Sequence, residues 1–99
     1  MSKQTEDKDF FDRADAIINL ANSQCDNFAI GKVSSSLLFA AARFNAFIVA
    51  SSAKDLDQLK KDKAEAISFF KEQYEKVFIE NMDEYIKNYD KNIEEQRKS

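Results

Sequence analysis

The stretch ISFFKEQYEKVFIENMDEYIKNYDKNI, residues 67–93, repeats itself every eleven positions. Ile67, Phe78 and Tyr89 are eleven residues apart, and the same interval separates Tyr74 from Tyr85 and Met82 from Ile93. Eleven residues make three turns of about 3.67 residues each, so a stripe with this period stays on one side of a straight or slightly right-handed helix. The repeat predicts a long helix with one apolar edge that another surface has to cover.

This helix is the third that the sequence predicts, and we expect it to span 56–96. At about 1.5 Å per residue it would be about 60 Å long, twice the length of either earlier helix. Two arrangements are open. A continuous helix would need a second copy of the chain to cover its distal stripe, whereas a bend near Asn81 would fold the end back. Asn81 followed by Glu84 matches a capping box, which would satisfy the donors of a new helix start.

The distal stripe is the predicted self-association seam. Contiguous apolar patches are rarely left uncovered on small soluble monomers, and a two-fold dimer is the commonest way to cover one. We therefore expect a homodimer. The predicted seam residues are Phe78, Met82, Tyr85, Tyr89 and Ile93.

The composition predicts an all-α fold in one domain. The 99 residues include no proline and one glycine, so tight hairpins have almost no turn residues to use. An apolar share of 43% with 33% charged residues is typical of a folded soluble domain. We predict a single domain over 1–99, built as an antiparallel bundle of three helices, with frayed ends at 1–7 and 97–99. The predicted helices span about 8–25, 34–53 and 56–96.

The connection between the first two helices is the clearest predicted loop. It follows Cys25 and runs to Lys32, and it contains Asn27 and Gly31, two residue types that tolerate positive φ. The hydroxyl of Ser34 or Ser35 can cap the helix that follows. The sequence therefore predicts that the second helix begins at about residue 34.

The second helix is apolar almost all round, which indicates either a buried core helix or a membrane span. Its eight large apolar residues would gain about 0.3 to 0.6 kcal/mol each on insertion into a membrane, whereas Arg43 near the centre would cost roughly 3 kcal/mol. Asn45 and several serines oppose insertion further. We therefore expect a helix buried at the centre of the bundle and no membrane partner.

Arg43 is the principal candidate for a polar site. A guanidinium in an apolar helix needs partners, because burying an unpaired charge costs several kcal/mol. We expect a polar cluster that either fixes the register of two helices or binds a carboxylate or phosphate ligand. Its candidate members are Arg43, Asp15, Asn19, Asn22 and Asn45.

Several functions are disfavoured by what the sequence lacks. It has no histidine, so the commonest general base and the usual helical di-iron ligands are missing. A net charge of −3 with intermixed acids and bases gives no basic face for nucleic acid. The single Cys25 and the polar start favour a cytoplasmic location. We expect no enzymatic activity, no metal, no cofactor and no nucleic-acid partner.

Two segments resemble a known family. FDRADAIINLAN, residues 11–22, and GKVSSSLLFAAARFNAF, residues 31–47, are similar to an uncharacterised family of short proteobacterial helical proteins with a domain of unknown function. The resemblance covers roughly 10–90. It implies a bacterial source and a small cytoplasmic helical protein, and it transfers no activity, cofactor or catalytic residue.

The sequence thus predicts a non-enzymatic helical protein that self-associates and acts through protein–protein interaction, with a second copy or another protein as its partner. The alternative is a regulator that binds a small molecule or anion at the polar cluster around Arg43.

Overall fold

A computed structural model describes residues 8–89, and all regular structure in that range is helical. The helices are α1, Lys8–Gln24; α2, Ile30–Ser52; and α3, Leu56–Lys87. This confirms the predicted all-α fold of three helices. The predicted frayed ends, 1–7 and 97–99, lie outside the described residues, as does Ile93 of the predicted seam.

By its internal contacts the chain divides into two units, Met1–Ile48 and Val49–Ser99. The first contains α1 and most of α2, and the second contains the last residues of α2 and all of α3. The prediction of a single domain over the whole chain stays a prediction.

The connection after α1 is shorter than predicted and continues in right-handed turns. The backbone N–H groups of Cys25, Asp26 and Asn27 each donate to the carbonyl three residues earlier, at 3.0 to 3.2 Å. No residue in the described range, glycine or other, has a positive φ. Asn27 and Gly31 therefore do not use the positive φ that their residue types tolerate, because the chain leaves α1 without reversing its helical sense.

The start of α2 is also corrected. The helix begins at Ile30, and the N–H groups of Lys32 and Val33 both donate to the Ala29 carbonyl, at 3.0 and 3.1 Å. Ser34 lies within the first turns of the helix and does not cap it. The helix tolerates Gly31 and Ser34 because each costs at most about 1 kcal/mol relative to alanine.

A side-chain cap fixes the start of α3. Asp55 has extended backbone angles, φ −159° and ψ 176°, and its carboxylate accepts a hydrogen bond from the Gln58 N–H at 2.8 Å. The Asp55 carbonyl accepts the first intrahelical bond, from the Leu59 N–H at 3.1 Å. The predicted break between the second and third helices is therefore confirmed. The Asp55 carboxylate, as the N-terminal cap, marks the start of α3.

We expect Asp55→Ala to destabilise the protein by about 1 kcal/mol, because it leaves an N-terminal donor of α3 without its side-chain acceptor. Urea denaturation followed by circular dichroism measures the loss. Asp55→Asn is the matched control, since asparagine caps nearly as well. Equal losses for the two variants would contradict the capping role.

α3 continues through Asn81 as one helix, so the predicted alternative of a new helix start at this residue is wrong. The Asn81 side chain donates from Nδ2 to the Val77 carbonyl at 2.7 Å, back along the helix, instead of accepting from the Glu84 N–H. α3 ends at Lys87, and Asn88 closes it by donating its backbone N–H to the Glu84 carbonyl at 3.0 Å. The predicted end at residue 96 lies outside the described residues.

Burial differs most from the prediction. None of the residues 8–89 is fully buried in a single copy of the chain. α2 was expected to be the buried centre, yet its aromatic side chains are well exposed, with Phe39 at 68% and Phe44 at 65%. A helix that is apolar all round needs other surfaces to pack against it. The sequence pattern does not show whether those surfaces belong to the same copy or to another molecule. Within one copy, that cover is incomplete.

Candidate functional site

The predicted polar cluster is not assembled by contacts in the described range. Arg43 lies on α2, where its side chain is exposed, and Asp15, Asn19 and Asn22 are exposed on α1. Only Asn45 is half-buried. No hydrogen bond or ion pair between side chains is found to join these five residues within 8–89.

A polar cluster around Arg43 would form only if Arg43 were buried. A guanidinium needs a carboxylate partner when it leaves water, but an exposed one keeps its solvation and needs none. The Asn22 carbonyl does accept the Cys25 N–H at 3.0 Å, which is a contact of the backbone at the end of α1. The structure therefore adds no support for an anion site around Arg43. Among residues 8–89 no group of three or more potential ligands could hold a metal ion.

The predicted seam, by contrast, is present on one helix as an exposed apolar surface. Its described members are spaced three or four residues apart along α3 and just beyond it, so they share one side of the helix. Each remains about half exposed to solvent in a single copy. The exposed fractions are 51% for Phe78, 45% for Met82, 41% for Tyr85 and 54% for Tyr89.

Aromatic stacking orders the beginning of this seam. The rings of Tyr74 and Phe78 are stacked, with centroids 5.6 Å apart and an angle of 22° between their planes. Residues four apart are neighbours on a helix surface, and an aromatic pair at this spacing restricts the rotamers of both rings. Tyr74 is itself 54% exposed, so the ordered pair presents a broad apolar surface to solvent.

The seam is not the whole apolar surface of α3. Ile79 and Ile86 are 50% and 67% exposed, and each lies about 100° around the helix from the seam residue before it, Phe78 or Tyr85, and closer to Met82. Sequence reasoning based on the eleven-residue period did not select them. Their i, i+7 spacing marks a second, shorter apolar row, which only the burial values reveal as uncovered.

α2 is the other exposed apolar element. It is the one helix in the described range that is long and apolar enough to cross a membrane by length and composition. None of its apolar window is buried in a single copy. Core helices of soluble proteins meet the same criteria of length and hydropathy, and Arg43 opposes insertion as described above. The expectation of no membrane partner stays a prediction.

Comparisons with known proteins place these elements in context. A family model described as "Protein of unknown function (DUF3144)" matches residues 10–86, which include nearly all of the three helices. The NMR structure of the protein NB7890A from Shewanella sp is similar to this chain, with a TM-score of 0.73 and 34% sequence identity. The alignment covers 85% of this chain and 90% of that one. No curated protein matches the chain.

Proposed function

Because the chain belongs to the DUF3144 family, whose description assigns no activity, we propose from its physical chemistry that it acts by self-association along α3. Membership confirms the resemblance seen in residues 11–22 and 31–47, while a bacterial source for this chain stays a prediction. The observation that carries the proposal is the row of half-exposed aromatic and methionine side chains on one side of α3.

The size of the apolar surface favours association over solvation. Covering the exposed half of a large aromatic side chain removes on the order of 100 Å² from water, which stabilises an interface by roughly 2 kcal/mol. A two-fold dimer would cover each seam residue in both copies, so every contribution counts twice. For the four described seam residues in each of two copies the gross gain is roughly 16 kcal/mol, which is comparable with the upper part of the range of about 4 to 15 kcal/mol that association costs in lost freedom.

The residue types also suit an interface between soluble proteins. Tyr85 and Tyr89 combine an apolar ring with a hydroxyl that can stay hydrated at the rim of a contact. Met82 adapts its shape to irregular neighbours. Lysines and acids predominate on the opposite side of α3, although Phe69 is also exposed there. A mainly apolar side and a mainly charged side are typical of a helix that pairs with another.

Sedimentation equilibrium at micromolar concentration tests self-association directly, and we expect a mass twice that of the chain. Light scattering on the same samples provides an independent measurement. A monomeric mass across the micromolar range, with a helical circular dichroism spectrum, would contradict the proposal.

Thermal unfolding should also depend on protein concentration. If folding requires the second copy, mass action raises the midpoint of unfolding by about 3 °C for each tenfold increase in concentration. Circular dichroism melts over a hundredfold range measure this shift. A midpoint independent of concentration would show that one copy is stable alone.

Lipid is the other surface that could cover α2, and a parallel experiment separates it from protein. Vesicles of neutral and of anionic phospholipid are mixed with the protein and floated on a density gradient. We expect the protein to remain at the bottom as a dimer. Flotation of a chain that is monomeric without vesicles would overturn the proposal in favour of a membrane surface.

A further inference from the structure

The apolar side of α3 follows a finer pattern than its overall period. Three positions in each block of eleven lie on the same side of the helix, at spacings of three, four and four residues. We call these positions the α3 stripe; it shares Phe78, Tyr85 and Tyr89 with the seam and passes through Asn81, next to Met82. It comprises Leu56, Leu59 and Lys63; Ile67, Phe70 and Tyr74; Phe78, Asn81 and Tyr85; and Tyr89, which begins the next block.

Two of the stripe positions are polar. Lys63 and Asn81 are both exposed, and they lie at equal distances before and after residue 72, near the middle of the stripe. The Nδ2 group of Asn81 is occupied by the Val77 carbonyl, at 2.7 Å. Its amide oxygen can therefore still accept a hydrogen bond from outside the helix. An ammonium group is a suitable donor for that oxygen.

We propose that a second copy of the chain packs along the α3 stripe in the antiparallel direction, centred on residue 72, with Lys63 of each copy against Asn81 of the other. This inference rests on the proposed self-association and specifies its orientation and register. In this register Leu59 faces Tyr85 across the interface, and Phe70 faces Tyr74. Ile67 and Phe78 lie opposite Val77 and Ala66 of the other copy. Over residues 59–85 the apolar stripe positions therefore meet apolar residues, and the two polar positions meet each other.

The polar pair selects this register over its neighbours. Sliding one helix to the next stripe position in either direction would set Lys63 against Phe78 or Tyr85. The ring would remove the ammonium charge from water without supplying an acceptor. Single polar residues within an apolar seam specify the register and orientation of paired helices in this way. Because the Lys63 and Asn81 contact occurs twice across a two-fold axis, each misaligned register carries the penalty twice.

The distribution of charge along α3 selects the antiparallel direction. Residues 56–71 contain four lysines and three acids, a net charge of +1, whereas residues 72–87 contain two lysines and five acids, a net charge of −3. A parallel pair in register would place the two −3 halves side by side and Lys63 against its own copy. An antiparallel pair places each −3 half beside a +1 half, and it also opposes the two helix dipoles.

Disulfide cross-linking between single cysteines tests both direction and register. In a Cys25→Ala background, chains carrying Lys63→Cys and chains carrying Asn81→Cys are prepared separately, mixed and oxidised. Cysteines form a disulfide only when their Cα atoms come within about 7 Å. We expect the mixed species to form in large excess over either homodimeric species, as read by non-reducing gels and mass spectrometry.

Matched pairs control for disturbance of the interface. Leu59→Cys mixed with Tyr85→Cys should cross-link in the same way, because these positions face each other in the same register. Lys76→Cys lies on the opposite side of α3 from the stripe and should not cross-link to any of them. Sedimentation of each reduced variant shows whether it still associates.

The outcomes separate this inference from the proposed function. A dimer that cross-links Lys63→Cys to itself and Asn81→Cys to itself is parallel, and it would overturn the antiparallel arrangement while leaving self-association intact. A dimer in which neither mixed pair cross-links would equally overturn it. A wild-type chain that sediments as a monomer would overturn both.

Discussion

Replacing Phe78 by glutamate is expected to weaken self-association by at least about 100-fold. The substitution removes an aromatic side chain that is 51% exposed in one copy and stacked on Tyr74, and it places a carboxylate on the apolar seam. Each lost aromatic contact costs about 1 to 2 kcal/mol, and the two-fold axis doubles the loss. Because about 1.4 kcal/mol corresponds to a tenfold change in Kd, the lost contacts alone amount to about 1.5 to 3 decades, and the cost of placing a carboxylate on the seam adds to them.

Sedimentation equilibrium across a concentration series measures this change in Kd. Ile79→Glu is the matched control, since Ile79 is the next residue in α3, has a similar exposed fraction of 50% and lies about 100° away around the helix. We expect Ile79→Glu to change Kd by much less than Phe78→Glu. Equal effects would show that association does not use the seam, and no effect from either variant would place the interface elsewhere.

The helical fold was predictable because local signals agree with each other. The absence of proline, the scarcity of glycine and the helical spacing of apolar residues all favour helix, and the Asp55 cap reinforces the start of α3. The boundaries were less predictable where signals conflict. Gly31 and Ser34 suggested a loop, but helix extends to Ile30 because the N–H groups of its first turn find an acceptor in the Ala29 carbonyl.

Asn81 shows why a capping motif alone does not end a helix. Asparagine and glutamate at this spacing can start a new helix, yet they also fit inside one if the asparagine amide donates to the carbonyl four residues earlier. The bond from Asn81 to the Val77 carbonyl is such a contact. The sequence permits both, and the continuous apolar stripe on either side favours the unbroken helix.

The candidate sites differ in how far sequence could predict them. The seam follows from periodicity on a single helix, so its members share one side of α3 once the helix forms. The polar cluster required α1 and α2 to approach with Arg43 buried between them, and no periodicity in either helix encodes that approach. Arg43 is exposed in one copy. Long-range contacts between elements are the information that single-sequence patterns lack.

Reversing the charge of Lys63 tests the register by energy instead of proximity. Lys63→Glu places a carboxylate against Asn81 of the partner subunit, in the half of α3 where Glu80 and Glu84 lie one residue before and three residues after that asparagine. We expect self-association to weaken about tenfold, since each like-charge contact costs roughly 0.5 to 1 kcal/mol and occurs twice. Lys76→Glu, with the same change of charge on the opposite side of α3, should leave Kd within about twofold.

Asn81→Lys in the same chain should restore most of the lost affinity, because the new ammonium meets the new carboxylate across the interface. Asn81→Lys alone should weaken association, since it sets two lysines against each other. Comparing wild type, both single variants and the double variant by sedimentation gives the coupling between the two positions. Additive effects would mean that Lys63 and Asn81 do not meet, whereas recovery in the double variant requires the antiparallel register, because a parallel pair never brings them together.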